Sequence, residues 1–145
     1  MTYWDTSALV KLYAPEPDTP YFLELLASSK RPPYTAEIAR AEMLCTLYRT
    51  EHAGDLAAGA AAALFKRFLG DAAAGRLVIV PNGPDVTTEA QRLVERTYGQ
   101  PRPTLIRSLD AVHVASALVG RAAKVVATDA RLREVAVLMG LEVLP

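Results

Sequence analysis

Hydrophobic and polar positions divide this chain into short segments with strand character and longer stretches with helical spacing. The short segments predict strands at residues 2–5, 31–35, 77–80, 124–127 and 141–144. The helical spacing predicts helices at residues 7–13, 21–28, 36–52, 56–74, 86–98, 107–122 and 130–139. Short strands that alternate with helices are typical of a parallel sheet covered on both faces. The pattern therefore predicts a three-layer α/β/α fold with a parallel sheet of about five strands, in one domain spanning residues 1–145.

Residues with strong preferences for helix ends set several of these boundaries. Asp55 is predicted to cap the alanine-rich helix, and Asp85 is predicted to cap the helix over 86–98. An aspartate at such a position accepts hydrogen bonds from the free N–H groups of the first helical turn. Gly140 is predicted to end the last helix, since glycine adopts the left-handed conformation at little cost.

Composition and charge exclude several classes of protein. The 145 residues include 16 basic and 16 acidic side chains, so no overall positive field attracts nucleic acid, and a polyanion must be bound by local clusters. The single cysteine, Cys45, excludes a disulfide framework and a cysteine-rich zinc site. No secretory signal opens the sequence, and no apolar run is long enough to span a bilayer. We therefore expect a cytoplasmic protein without membrane association.

Two aspartates follow predicted strands. Asp5 ends the first strand in an apolar setting, where a buried carboxylate without a partner costs stability. Asp129 follows the strand at 124–127, where it also has the position of a helix cap. Ligands of parallel α/β folds bind beyond the carboxyl ends of the strands. Both aspartates are therefore expected on the same rim of the sheet.

Two further acids lie on helices with apolar faces. Glu42 projects close to the line of Ile38 and Cys45 on its helix. Glu37 is the competing candidate, although it falls in the first helical turn, where a carboxylate is favourable in any case. Asp110 heads an otherwise apolar stripe, either as a helix cap or as a fourth acid at the rim.

Together the four acids favour a site for divalent metal. Carboxylates that crowd together repel one another, and their pKa values rise unless a cation is present. Mg²⁺ and Mn²⁺ prefer oxygen ligands and can activate water for attack at phosphorus. We therefore expect one or two of these ions to be held by four catalytic, metal-binding residues: Asp5, Glu42, Asp110 and Asp129.

Three segments resemble the motifs of a known family. DTSALVKLY at residues 5–13, followed by Glu16-Pro17, resembles the first motif of the PIN-domain ribonucleases, in particular the VapC-type toxins of prokaryotic toxin–antitoxin pairs. RSLDAVHVA at 107–115 resembles the third motif, and TDARL at 128–132 with GLEV at 140–143 resembles the last. The likeness extends over essentially the whole chain.

This resemblance implies both a fold and an activity. It implies a flavodoxin-like parallel sheet, a homodimer, a small antitoxin that inhibits the protein, and cleavage of RNA that depends on Mg²⁺ or Mn²⁺. The acidic quartet is the same four residues, and three polar positions would hold the acids or water: Thr6, Ser7 and Thr128. Four basic residues close to the acidic motifs are candidates for contact with RNA: Lys11, Arg40, Arg49 and Arg107.

The leading hypothesis is a metal-dependent endoribonuclease, the toxin of a type II toxin–antitoxin system. One alternative is a phosphohydrolase with Asp5 as covalent nucleophile, although Ser7 stands where haloacid-dehalogenase-like enzymes place a second acid. Another is a catalytically silent binding module on the same scaffold. We predict that His113 and Cys45 are structural residues, since a lone histidine or cysteine on an apolar helix usually belongs to the core.

Overall fold

Five short strands form one parallel sheet at the centre of the structure, a computed structural model that describes residues 1–145. The strands are β1 (Thr2–Trp4), β2 (Tyr34–Ala36), β3 (Val78–Val80), β4 (Lys124–Val126) and β5 (Glu142–Leu144). Seven helices connect and follow them: α1 (Thr6–Leu9), α2 (Thr19–Ala27), α3 (Ala39–His52), α4 (Ala60–Ala73), α5 (Pro84–Tyr98), α6 (Ser108–Val119) and α7 (Ala130–Leu138). A 3₁₀ turn at Val10–Leu12 continues α1. Each helix is too short or too polar to cross a membrane.

The order of the strands defines the edge at which a ligand site is expected. The sheet runs β3-β2-β1-β4-β5, and every neighbouring pair is parallel. The chain builds outward from β1 to β3 and then returns to the other side of β1 for β4. In open α/β sheets, ligands bind outside the carboxyl ends of the strands where the order reverses. That position lies here between β1 and β4.

Helices cover both faces of the sheet, which confirms the predicted three-layer α/β/α fold. Successive side chains of a strand point to opposite faces. Tyr3 and Val125 accordingly belong to a core cluster shared with α5, α6 and α7. Trp4 and Val126 belong to a second cluster shared with the first four helices. Because both faces are buried, the strands carry large apolar side chains at consecutive positions.

Two predicted helix starts are wrong. Ala36 pairs with Val80 in the sheet, so the helix predicted from Ala36 begins only at Ala39. Asp55 caps no helix, because the chain turns through residues 53–59 and α4 starts at Ala60. A distant side chain serves this helix instead: Glu51 Oε2 accepts a hydrogen bond of 2.7 Å from the Ala61 N–H.

Other helix ends differ from the prediction by one to three residues. Gly83, and not Asp85, is the N-cap of α5, because Pro84 supplies a preset helical φ at the first position. Asp85 lies in the first turn, where its Oδ1 accepts from the Val86 N–H. The helix predicted over 107–122 ends at Val119, and Gly120 is its C-cap.

Gly120 allows the end of α6 to approach β2 closely. A Cβ atom at this position would lie 2.6 Å from the ring of Tyr34, whose side chain is buried and donates a hydrogen bond to the Ala117 carbonyl. Gly70, in the interior of α4, has no atom within 4 Å of an added Cβ.

These two glycines give a matched test of the packing. Gly120→Ala should lower the free energy of unfolding by about 1–3 kcal/mol, because the buried ring cannot move aside without strain. Gly70→Ala should leave it unchanged or raise it by up to about 1 kcal/mol, since alanine favours a helix interior. Urea denaturation measures both, and equal effects of the two substitutions would contradict this packing.

Candidate active site

A cavity of about 510 Å³ lies at the carboxyl ends of β1 and β4, and it contains all four predicted acids. The acids come from four separate parts of the chain. Asp5 follows β1, Glu42 lies on α3, Asp110 on α6 and Asp129 before α7. The remaining lining residues are Thr6, Ser7, Val10, Cys45, Thr46, Arg49, Arg107, Ser108 and Leu109.

The two strand-end aspartates are each held by the backbone of the helix that follows. Asp5 is the N-cap of α1, and its Oδ2 accepts a hydrogen bond of 3.0 Å from the Ser7 N–H. Asp129 is the N-cap of α7, and its Oδ1 accepts from the N–H groups of Arg131 and Leu132 at 3.0 and 3.1 Å. Capping therefore occupies one oxygen of each carboxylate and leaves the other for a second partner.

Arg107 bridges two of the acids. Asp110 lies in the first turn of α6, and its Oδ2 accepts from the Arg107 backbone N–H at 3.3 Å and from Nε at 3.0 Å. Arg107 Nη2 donates to Asp110 Oδ1 at 3.3 Å and to Asp129 Oδ2 at 3.1 Å. The side chain of Arg107 is 60% exposed. A guanidinium cation thus lies between two carboxylates at the mouth of the cavity.

His113 contacts the fourth acid, Glu42, from the buried side of the cavity. Its ring is 1% exposed, and Nε2 lies 2.6 Å from Glu42 Oε2 and 3.4 Å from Asp5 Oδ1. Its Nδ1 lies 2.5 Å from Tyr3 Oη. Thr6 Oγ1 donates to the same Glu42 oxygen at 2.5 Å. Glu42 is therefore fixed by two side chains and not by the backbone.

The contacts between Glu42 and His113 change the pKa of both groups. Burial raises the pKa of the Glu42 carboxyl, but the hydrogen bond and charge of His113, with the Thr6 hydroxyl, outweigh burial and lower it below its ordinary value. Burial lowers the pKa of His113, but the hydrogen bond to Glu42 and the charges of Asp5 and Glu42 outweigh it and raise it. The pair therefore favours the imidazolium and carboxylate forms.

The supporting polar residues divide into two groups. Thr6 and Ser7 lie in the cavity, and Ser7 Oγ accepts a hydrogen bond of 2.9 Å from the Thr128 N–H. Thr128 is exposed and reaches this network through its backbone. Glu37 is exposed in the turn after β2 and does not line the cavity, so of the two candidate glutamates only Glu42 does.

The four basic candidates are not equally placed. Arg49 and Arg107 line the cavity, and Arg40 is exposed on the first turn of α3. Lys11 is 7% exposed and its ammonium group is paired with Glu16 and Asp18, so it is not available to a ligand. We therefore leave Lys11 out of the residues considered for RNA contact.

The expectation that Cys45 belongs to the core is wrong. The buried face of α3 consists of Ala39, Met43 and Leu47. This orientation turns the opposite side of the helix, with Glu42 and Cys45, toward the cavity. Helical spacing alone did not distinguish the two faces, because apolar residues occur on both.

His113 is buried, as the sequence predicted, but its contact with Glu42 at the cavity was not predicted. The signal for it was present, since His113 follows Asp110 by three residues and such residues share a helix face. What the sequence did not contain was the identity of its partners, because Tyr3 and Glu42 come from β1 and α3.

The donor atoms of the cavity fit a divalent cation in chemical type and in charge. Carboxylate oxygens are the ligands that Mg²⁺ and Mn²⁺ prefer, and the Arg107 guanidinium already acts as a stand-in cation between two of them. No three acidic, histidine or cysteine side chains surround one metal-sized point. In this arrangement Arg107 and His113 are hydrogen-bonded to three of the four carboxylates: Asp110, Asp129 and Glu42.

A larger groove elsewhere lacks this chemistry. It has a volume of about 800 Å³ and lies between the loop before α6 and helix α7. Its charged residues are Arg102, Arg133 and Glu134, and none of the predicted site residues lines it. The acidic cavity is therefore the better candidate for an active site.

A parallel α/β sheet with an acidic cavity at its strand-order reversal defines a class of proteins that bind ligands at that edge. Residues 2–138 match the family model of the PIN domain. The chain therefore belongs to the PIN-domain family, whose members are generally nucleases. No curated protein gave a significant match to the sequence.

Solved structures share this fold over nearly the whole chain. VapBC2 from Rickettsia felis, bound to a DNA fragment from its promoter, has a TM-score of 0.71 at 18% identity, covering 99% of this chain and 98% of that chain. VapC20 of Mycobacterium tuberculosis, a sarcin–ricin loop cleaving toxin, has a TM-score of 0.69 at 18% identity, covering 92% and 94%. VapBC-1 from nontypeable Haemophilus influenzae has a TM-score of 0.69 at 14% identity, covering 99% and 97%.

The Glu42–His113 pair predicts a pH dependence of stability in the metal-free protein. The lowered pKa of Glu42 gives a contribution that is present above its ordinary pKa of 4.5 and is lost as the pH falls through the folded-state pKa. The raised pKa of His113 gives a contribution that is full below its ordinary pKa of 6.5 and is lost as the pH rises through the folded-state pKa. The free energy of unfolding should therefore differ most between wild type and Glu42→Gln in the interval between those two ordinary values.

Urea denaturation in the presence of EDTA, from about pH 4 to about pH 9, measures this difference. Glu37→Gln is the matched control, because Glu37 is exposed in the turn before the same helix. The control removes a carboxylate that is not the partner of His113, so it should show no such maximum. If the difference in free energy of unfolding from wild type had the same maximum for Glu37→Gln as for Glu42→Gln, His113 would not interact with Glu42 as described.

Proposed function

We propose that this protein is an endoribonuclease that depends on Mg²⁺ or Mn²⁺ and acts as the toxin of a toxin–antitoxin pair. The observation that carries the proposal is the meeting of four carboxylates in one cavity, although they come from four separate elements. Such a group is costly to maintain without a cation, because like charges in a confined space repel. Membership of the PIN-domain family supports a nuclease in particular.

Asp5, Glu42, Asp110 and Asp129 would hold one or two metal ions. When bound, the metal supplies a lowered pKa of water and positive charge near the phosphate. The chain's own residues orient these ligands: the Ser7 N–H holds Asp5, and the N–H groups of α7 hold Asp129. A phosphodiester in the cavity would therefore meet ligands already fixed in position, which reduces the cost of ordering them during the reaction.

Local basic residues supply the positive charge for RNA binding that the chain as a whole, with a net charge of zero, does not. Arg49 and Arg107 line the cavity, and Arg40 is exposed on the same helix as Arg49. Arginine binds phosphate through paired N–H donors, so these three side chains are proposed to contact the RNA backbone. Arg107 would become available for this contact once released from Asp110 and Asp129.

The structural relatives support the biological part of the proposal. VapC20 is described as cleaving the sarcin–ricin loop, which favours RNA as the substrate here. Toxin–antitoxin complexes from Klebsiella pneumoniae and Haemophilus influenzae share the fold, which favours a small antitoxin as partner. A homodimer and a cytoplasmic location belong to the same proposal.

The activity is tested by cleavage of a structured RNA with Mn²⁺, against EDTA. Asp5→Asn should lower the rate by at least about 100-fold, because even the outer partners of metal ligands contribute about 10–100-fold. Asp55→Asn is the matched control, since Asp55 is exposed in the turn between α3 and α4, and its rate should equal that of wild type. Cleavage that is indifferent to EDTA or to Asp5→Asn would refute the assignment.

Mass spectrometry and a Mn²⁺-binding measurement, made beside the cleavage assay, separate the two alternatives. An aspartate-nucleophile phosphohydrolase would leave a phosphate covalently attached to Asp5 that mass spectrometry detects. A silent binding module would show no cleavage in wild type and no binding of Mn²⁺. No observation in the cavity favours either, since Ser7 gives no second acid and all four carboxylates remain in place.

A further inference from the structure

We propose that His113, anchored by Tyr3, is a positioning residue that fixes the Glu42 carboxylate for metal binding. The inference deepens the proposed function and rests on it, since it takes Glu42 to be a metal ligand. It concerns Glu42, the one acid of the four whose carboxylate accepts no hydrogen bond from the backbone.

Glu42 differs from the other three acids in what holds it. Asp5, Asp110 and Asp129 each accept a hydrogen bond from a backbone N–H at the start of a helix. Glu42 accepts only from side chains, Thr6 and His113. A glutamate also has one more rotatable bond than an aspartate, so more conformational entropy is lost when its carboxylate is ordered. Its position therefore depends on how firmly those two side chains are held.

A chain of contacts fixes His113 to the sheet. The Ala36 N–H donates to Tyr3 Oη at 3.2 Å, and Tyr3 Oη lies 2.5 Å from His113 Nδ1. The rings of Tyr3 and His113 also pack edge to face at 5.9 Å between centroids. Both side chains are almost fully buried, so neither can turn without disturbing the core. The imidazole is therefore a rigid support.

His113 can donate a hydrogen bond to Glu42 whether its imidazole is neutral or charged. A carboxylate only accepts hydrogen bonds, so Nε2 must carry the proton that is donated to Glu42. In the neutral ring Tyr3 donates its O–H to Nδ1, and in the charged ring Nδ1 donates to Tyr3 Oη. The N–H of Nε2 points at Glu42 in both forms.

The same N–H lies between two ligands. Nε2 is 2.6 Å from Glu42 Oε2 and 3.4 Å from Asp5 Oδ1. A donor in this place attracts both carboxylates and so opposes their mutual repulsion. His113 therefore keeps Glu42, which lies on α3, close to Asp5 at the end of β1.

The test measures Mn²⁺ affinity by isothermal titration calorimetry, with thermal unfolding of each variant alongside. His113→Asn retains a donor near Tyr3 but does not reach Glu42, and Mn²⁺ should bind about 10–100-fold more weakly. His113→Gln places its amide N–H close to the original Nε2, and it should recover affinity to within about threefold of wild type. Tyr3→Phe removes only the anchoring hydroxyl and should weaken binding in the same direction by a smaller factor.

A double-mutant cycle distinguishes positioning from general support of the fold. In a Glu42→Gln background, His113→Asn should cause a much smaller further loss of Mn²⁺ affinity, because the main group that it positions is absent and only the longer contact with Asp5 remains. Equal losses in both backgrounds, or losses that follow the unfolding temperature of the variants, would overturn the inference. Equal affinities of wild type, His113→Asn and Tyr3→Phe would also overturn it.

The outcomes separate this inference from the proposed function. If wild type binds Mn²⁺ and cleaves RNA while the His113 variants bind equally well, only the positioning role fails. If wild type neither binds Mn²⁺ nor cleaves RNA, the proposed function fails and the inference fails with it.

Discussion

Electrostatic repulsion among four carboxylates in one cavity is the constraint on which the rest of the site depends. The protein places two basic side chains against these carboxylates. The Arg107 guanidinium bridges Asp110 and Asp129, and the imidazole of His113 lies between Glu42 and Asp5. These two side chains differ in mobility. Arg107 is mostly exposed and can move away from the carboxylates, whereas His113 is buried and cannot. Under the proposed function, a bound metal would therefore replace Arg107 and leave His113 in place.

The fold places these charges where the backbone can help. Three of the acids lie at helix starts, where free N–H groups and the positive end of the helix dipole stabilise a carboxylate. The reversal of strand order brings the starts of α1 and α7 together at adjacent strands. Capping and ligand roles therefore do not exclude each other: one oxygen of Asp129 caps α7 while the other faces Arg107. The same division applies to Asp5, whose Oδ2 caps α1.

The sequence predicted the layers of the fold and the strand-end acids because these follow from local patterns. Strand composition predicts a sheet buried on both faces, and Asp5 and Asp129 directly follow strands. The sequence did not predict contacts between residues far apart along the chain. Glu51 replaces Asp55 at the start of α4, and the ion pairs of Lys11 bury a side chain that looked available. Such contacts depend on tertiary packing, which periodicity does not encode.

The central claim, that this cavity holds a divalent cation on its own acids, is tested most directly by crystallography. Crystals of the protein soaked in Mn²⁺ would be measured at a wavelength where manganese scatters anomalously. We expect an anomalous peak in contact with Asp5 and at least one other acid of the quartet, with the Arg107 guanidinium moved away from Asp110 and Asp129. A map at saturating Mn²⁺ with no peak in the cavity, and with Arg107 still bridging the two aspartates, would contradict the claim.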